Sequence, residues 1–342
     1  MNQHLDLETF NFLDNIFSHV FQAENVFATI ALVFNTINFL ISIQKSLRTS
    51  SMNVLITEIA FCDLTAAISI LGKGILTLAY YKNPCKNQFS YFHQLTSQIL
   101  LFASENAVHI SFWLAIFLVL IRLLILKTGS NNLSKPFIGF ILFFITAFVN
   151  LGVSGNLYKK TTVIPLKNLW KPSPNCSGYP EGYSENEYYF NWIEEESLSY
   201  PNTYKWFVTI SQMSISVIYP IIALCLYVLI RKSANRISDS NRDKFLNRVR
   251  TNRLILYLTL SYLICTAPRS CIWLIQAFVR IAKRSVLELL VGYGSILVSV
   301  LFFLNTSIQL LICWSLSSNY REAARTLFKC ETIRTEDVTP TV

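Results

Sequence analysis

Seven long apolar runs constrain this chain more than any other feature. They fall at approximately 24–44, 52–80, 95–126, 136–158, 204–230, 252–279 and 286–314. A helix needs roughly 20 mostly apolar residues to cross the hydrocarbon of a bilayer, and each run is that long. Backbone polar groups in hydrocarbon must be satisfied within the segment, so each run reads as a helix. The expected fold class is an all-α membrane protein: a seven-transmembrane helix bundle with a short amphipathic helix after helix seven. Composition agrees, at 52% hydrophobic and 14% charged, where a soluble domain carries about a quarter charged residues. No linker, low-complexity tract or repeat divides the chain. The expected organisation is an extracellular N-terminus (1–23), the seven-helix domain (24–314), a membrane-surface helix (315–330) and a cytoplasmic tail (331–342). The N-terminus lacks a basic start and a small-residue cleavage site, so the first helix is expected to act as the targeting signal.

Lys and Arg set orientation, because short basic loops stay in the cytoplasm. The N-terminal stretch holds no Lys or Arg but carries Asp6, Glu8, Asp14 and Glu24. The link Arg231–Arg253 holds eight basic residues and two acidic ones. Lys45, Arg48, Arg122, Lys127, Lys135, Arg321, Arg325, Lys329 and Arg334 fall on the same side, which takes most of the +9 net charge. The expectation is a multi-pass plasma-membrane protein with its N-terminus outside. Beyond topology, these bases suit anionic lipid or an acidic partner.

Of the eight cysteines, only Cys85 and Cys176 fall in outer links. Oxidation is possible on that side, and a disulfide between them is expected, tying the second outer link to the top of the third helix. Asn175-Cys176-Ser177 is also an N-glycosylation sequon, in competition with that disulfide. The sequons at Asn132 and Asn305 lie inside the cell or the bilayer and are discounted.

Asp63 interrupts the run "IAFCDLTAAI". An ionisable group at this depth costs on the order of 3 kcal/mol or more, so it is expected to face the bundle interior or water. Asn35, Ser111 and Asn305 lie at mid-run on other helices. A wet polar cluster, able to hold a sodium ion, would satisfy it; ordinary interhelical hydrogen bonding is the alternative. Pro220 and Pro268 each sit deep in a run and remove a backbone donor. Each is either a static kink or a hinge.

In chain order these residues stand in a recognisable pattern: Asn35; "LRTSSMNVLI" followed by "CDL" (Leu47–Leu64); "FWLAIFLVLIRLLILK" (Phe112–Lys127); "IYPII" (Ile218–Ile222); "CTAP" (Cys265–Pro268); and "LNTSIQLLICWSLSSNYR" (Leu304–Arg321). The chain resembles the rhodopsin-like G-protein-coupled receptors across all seven runs. Within them it is most similar to the nematode serpentine chemoreceptors of class W, which resemble receptors for FMRFamide-like neuropeptides. The resemblance implies a polar switch of Asn35, Asp63, Ser111 and Asn305 around water or sodium. It implies that Arg122 meets a G protein on activation, that Trp113 packs the third helix, and that Pro220 and Pro268 are activation bends. The chain also departs from the pattern. Ile121 stands where an acid usually precedes the arginine, and Thr266 where a tryptophan precedes the proline of helix six. Thr306 and Gln309 replace the usual proline and tyrosine of helix seven.

The second outer link, about 159–203, is very long for a connection. It carries Trp170, Tyr179, Tyr183, Tyr188, Tyr189 and Trp192, with Glu181, Glu185, Glu187 and the run Glu194, Glu195, Glu196. Aromatic anchors suit peptide contact, and the acids suit a basic ligand. The resemblance places Lys73, Glu105 and Arg269 toward a ligand cavity, where they pair with each other or with ligand. His109, one turn deeper, is expected to be structural.

After helix seven, Leu316, Tyr320, Ala324, Leu327 and Phe328 share a stripe flanked by Arg321, Arg325 and Lys329. This reads as an amphipathic helix on the membrane surface, contacting lipid, with Cys330 a candidate for palmitoylation or a free thiol. There is no metal-binding His pair, phosphate loop or nucleophile elbow, so catalytic and metal residues are expected to be none, with no enzyme activity, no cofactor beyond that sodium ion and no nucleic-acid partner. The function expected is a G-protein-coupled receptor for a short peptide. The alternatives are a chemoreceptor for small environmental molecules and, from another class, a seven-helix channel or transporter.

Overall fold

The computed structural model describes residues 7–81, 83, 85–128, 131–158, 161–192, 202–234, 242–279 and 286–328. Its helices are α1 (Leu7–Ser42), α2 (Ser51–Tyr81), α3 (Tyr91–Thr128), α4 (Pro136–Tyr158), α5 (Asn202–Ala234), α6 (Arg242–Phe278), α7 (Val286–Leu316) and α8 (Ser318–Phe328). The first seven are long and apolar enough to cross a membrane. Their boundaries follow local chemistry. Ser50 Oγ accepts the Asn53 N–H at the start of α2, Ser90 Oγ accepts the His93 N–H at the start of α3, and Ser317 Oγ accepts the Tyr320 N–H at the start of α8. These are side-chain caps of otherwise orphan donors. α4 opens on Pro136, whose missing donor costs nothing there.

Two boundaries differ from expectation. α1 begins at Leu7, so much of the segment expected to be an N-terminal extension continues the first helix. That stretch is too mixed in polarity to register as a membrane run, although nothing in it breaks a helix. α6 likewise begins well before its apolar run, at Arg242.

α3 is the centre of the bundle and packs against α2, α4, α5 and α6. Its stretch from Ser104 to Arg122 is buried almost without a break. α1 closes the ring between α2 and α7. Its inward face is Glu24, Ala28, Ala31, Asn35, Asn38 and Ser42, all buried. The spacing is a heptad of small and polar residues, which lets backbones approach closely and supplies interhelical bonds. Gly139 serves the same end in α4, because a Cβ there would meet Val54 Cγ1 at 2.8 Å.

The second outer link holds an antiparallel hairpin rather than structureless chain, β1 (Thr161–Trp170) and β2 (Glu185–Trp192), with Val163 opposite Phe190. β-branched and aromatic residues fill its strands. In the turn, Gly178 (φ 95°) and Gly182 (φ 77°) adopt backbone conformations that other residues resist. Cys85 and Cys176 form the expected disulfide, with Cα atoms 5.5 Å apart. It fastens the hairpin turn to the α2–α3 link rather than to α3 itself. Tyr179 donates its hydroxyl to Cys85 O at 2.6 Å, and the Tyr188 N–H donates to Phe89 O at 2.7 Å.

At the opposite end, α8 buries Tyr320, Ala323 and Ala324. Phe328, expected on the same stripe, is exposed; it lies at the helix end, past the bundle. Tyr320 donates to Asn38 Oδ1 at 2.7 Å. Burial pushes its hydroxyl well above the ordinary phenol range, so it stays a donor. Arg321 caps α7 by donating to Trp314 O and Ser315 O.

Candidate functional site

Three polar levels run down the bundle. The first lines a cavity of about 430 Å³ between α1, α2, α3, α6 and α7, at the hairpin end. Lys73, Glu105 and Arg269 all line it, and Glu105 forms a salt bridge with Arg269. The Arg269 side chain is 11% exposed and that of Glu105 30%, so the carboxylate is the more open member. Lys73 lies within electrostatic reach of Glu24 instead, as does Glu105. Sequence reading counts Glu24 among the N-terminal acids, at the first residue of the first apolar run, and assigns it no site. The extension of α1 turns it into a wall of the cavity, and its place on the heptad face was the available signal. His109 is buried below, in electrostatic contact with Arg269, and its Nε2 has no hydrogen-bond partner among the described residues.

Trp170 stands apart from this cavity. It ends β1 and packs edge-on against Tyr179, with ring centroids 5.9 Å apart. Tyr183 continues the cluster and donates to Glu185. That bond to the carboxylate holds the Tyr183 hydroxyl above its ordinary value. Asn175 is exposed in the hairpin turn. Glu194, Glu195, Glu196 and Cys330 lie outside the described residues.

The second level surrounds Asp63, which is fully buried within the bundle. Ser111 donates to Asp63 Oδ1 at 2.7 Å. The Ser111 and Tyr262 hydroxyls are 3.3 Å apart, and Gln309 Nε2 donates to the Tyr262 hydroxyl at 2.7 Å. Ser111 spends its one proton on Asp63, so Tyr262 must donate to Ser111. The order is Gln309 to Tyr262 to Ser111 to Asp63, a chain of donors that joins α7, α6, α3 and α2, and Gln309 and Tyr262 also interact directly with the carboxylate. Bonds aligned this way polarise one another. A cavity of about 10 Å³ borders Tyr262 and Gln309, the size of one water site.

The expected cluster is therefore rearranged. Asn35 bonds Thr306 Oγ1 at 3.0 Å, a separate α1–α7 link. Asn305 is buried, and neither atom of its amide has a hydrogen-bond partner among the described residues; nor has Asp63 Oδ2. Thr306 and Gln309, which depart from the family pattern, carry the contacts. Tyr262 was missed because a tyrosine passes unnoticed in an apolar run. Glu58 was missed as well: it is buried in α2, with both carboxylate oxygens unbonded among the described residues. Asp63, Ser111 and Asn305 offer one carboxylate and neutral oxygens. That set fits a monovalent hard cation better than a transition metal, and no group of three or more His, Cys, Asp or Glu residues suited to a metal occurs among the described residues.

α6 and α5 are stitched beside the proline bends. Ser270 Oγ lies 2.5 Å from Ser216 Oγ and also donates to Gln212 O at 2.9 Å. Thr209 donates to Trp273 O at 3.2 Å. Pro268 lies between Thr266, fully buried, and Arg269 of the upper cavity. Below, Tyr219 stacks on Tyr262 and donates to Phe112 O at 3.1 Å. Trp113 binds Ser211 Oγ through its indole N–H at 3.3 Å, packing α3 against α5 as expected.

The third level is Arg122, buried near the α8 end, with Nη1 directed at Met52 Sδ. The exposed Lys45, Arg48, Lys127, Lys135, Arg231, Lys232 and Arg253 ring this end.

Residues 22–331 match the family model described as serpentine type 7TM GPCR chemoreceptor Srw. No curated protein matches the chain significantly.

Proposed function

This chain belongs to the serpentine 7TM GPCR chemoreceptor Srw family, and on that premise we propose that it is a plasma-membrane receptor for an extracellular short peptide, a neuropeptide, that signals through a heterotrimeric G protein. As a member it is a multi-pass membrane protein of a receptor family rather than an enzyme family. The observation that carries the reading is the Glu105–Arg269 bridge, which lines the upper cavity and joins α3 to α6 one residue past Pro268. A ligand that takes up either partner loosens α6 at its bend. Only a ligand that binds the rearranged bundle more tightly than the resting one shifts the population. The aromatic hairpin beside the cavity supports a peptide, and the basic α8 end supports a cytoplasmic face and an N-terminus outside. A sodium ion at Asp63, Ser111 and Asn305 would supply the charge balance that this level lacks.

The size of the cavity favours a second reading, a receptor for small environmental molecules. Cells expressing the chain, exposed to a peptide library and to a small-molecule panel, separate the two by a second-messenger response. The response is expected from peptides and is expected to disappear in Arg122→Ala at equal surface expression. A response that survives Arg122→Ala removes the assigned role of Arg122. Ligand-gated ion flux from purified protein in liposomes, without G protein, would replace the proposal with a channel.

A further inference from the structure

We propose that the upper cavity takes a zwitterionic end of its ligand, a cationic group and a carboxylate held together by four side chains of alternating sign: Glu24, Lys73, Glu105 and Arg269. The inference rests on the reading of that cavity as the ligand site and adds the charge that the ligand must carry.

All four residues line the one cavity of about 430 Å³. Their charges cancel in the empty protein. Glu105 is bonded to Arg269, and Glu24 lies within electrostatic reach of both Lys73 and Glu105. A ligand with a single charge would add an uncompensated charge to a site partly withdrawn from water, where an unpaired ion is penalised more than in solvent. A ligand with one charge of each sign leaves the sum at zero. The geometry gives each charge a place. Glu105 is the open member of its pair and faces an incoming cation together with Glu24. Arg269 lines the cavity, and its guanidinium carries donors beyond the Nη2 that bonds Glu105. The Lys73 ammonium and those guanidinium donors suit a carboxylate. A guanidinium has five N–H donors, so it can hold Glu105 and a second carboxylate at once. Trp273 and Phe303 line the same cavity and offer apolar surface to the rest of the ligand.

Three matched probes test this by thermal unfolding of the purified full-length chain. N-acetylarginine carries both charges, N-acetylarginine amide the cation only, and N-acetylcitrulline the carboxylate only. N-acetylarginine is expected to raise Tm in a saturable way, and the other two to leave it unchanged. Lys73→Gln and Glu24→Gln should each weaken the half-saturating concentration about thirtyfold, the loss expected for one partner of an enclosed charge pair. Their Tm without probe reports folding. Equal stabilisation by the amide overturns the zwitterion requirement; if that stabilisation depends on Glu24 and Glu105, the cavity remains the ligand site and only the charge rule falls. Stabilisation by N-acetylarginine that ignores both substitutions overturns the cavity assignment itself. No stabilisation by any probe overturns the proposal.

Discussion

Replacing Tyr262 with Phe removes one oxygen and leaves the ring. The ring stacks on Tyr219 at 6.2 Å and meets Phe112 edge-on at 5.8 Å, so packing should persist. Two bonds are lost, from Gln309 at 2.7 Å and to Ser111 at 3.3 Å. Hydrogen bonds between membrane helices average about 0.6 kcal/mol. The loss also strands the buried Gln309 amide donor, which costs about 1–3 kcal/mol. The sum is roughly 2 kcal/mol, read as a Tm several degrees lower in purified protein. Both bonds tie α6 to its neighbours, so their loss should also favour the arrangement in which α6 has moved, by up to about thirtyfold. Signalling without ligand should rise. Tyr219→Phe is the control: it removes the bond to Phe112 O but leaves α6 tied, so it should lower Tm without raising basal signalling. An unchanged Tm in Tyr262→Phe, or basal signalling that rises equally in both variants, refutes the reasoning.

Breaking the Glu105–Arg269 bridge by Glu105→Gln should destabilise the chain by about 1–3 kcal/mol, below the range for fully buried pairs because Glu105 is partly exposed. The exchange Glu105→Arg with Arg269→Glu should recover most of that loss in a thermal melt. Gly139→Ala places a Cβ 2.8 Å from Val54 Cγ1 and 3.0 Å from Ser51 O; overpacking of α2 against α4 should cost about 1–3 kcal/mol, read by the same melt. Reduction of the Cys85–Cys176 bond should lower the response to extracellular ligand, while the hairpin keeps its bonds at Phe89, Asn87 and Cys85 O. A hairpin-specific label measured before and after reducing agent checks this.

The seven helices were legible because hydrocarbon leaves the backbone no other choice, and their order, length and basic end follow from the run of residues. The disulfide was legible because only two cysteines fall in outer links. The partners inside the bundle were harder to read. Asp63 announced itself as a charge among apolar residues, and Ser111 was named with it. Gln309 and Tyr262 were hidden for opposite reasons: one looked like a departure from a pattern, the other like ordinary apolar filling. Helix phase decides which of two near neighbours on α7 meets Asn35 or Tyr262, and a shift from Asn305 to Thr306 is about 100° around the axis. Glu24 stood at the edge of the first apolar run, and its place in the cavity wall was not legible because apolarity marks where a membrane begins, not where a helix begins.

The three polar levels share α3, and this suggests how they act together. At about 1.5 Å per residue, Glu105 stands about 9 Å above Ser111, and Ser111 about 17 Å above Arg122. α3 is buried on nearly every side through this length, so it has little room to move. α6 differs. It is bonded to the core at Arg269 above and Tyr262 below, with Pro268 in between. Its hydroxyl stitches to α5 run from Thr209 and Ser270 above the proline to Ser216, which donates to Thr266 O just below it. Loosening the upper bridge leaves the lower part of α6 held by the Tyr262 bonds, by the Ser216–Thr266 O and Cys265–Leu301 O bonds just below the proline, and by apolar packing. On the proposed function, α6 is the element that would move, and α3 the fixed post against which ligand and G protein would each bias it. Coupling of this kind needs both sites to favour the same α6 position, and the Tyr262 bonds then set the threshold between them.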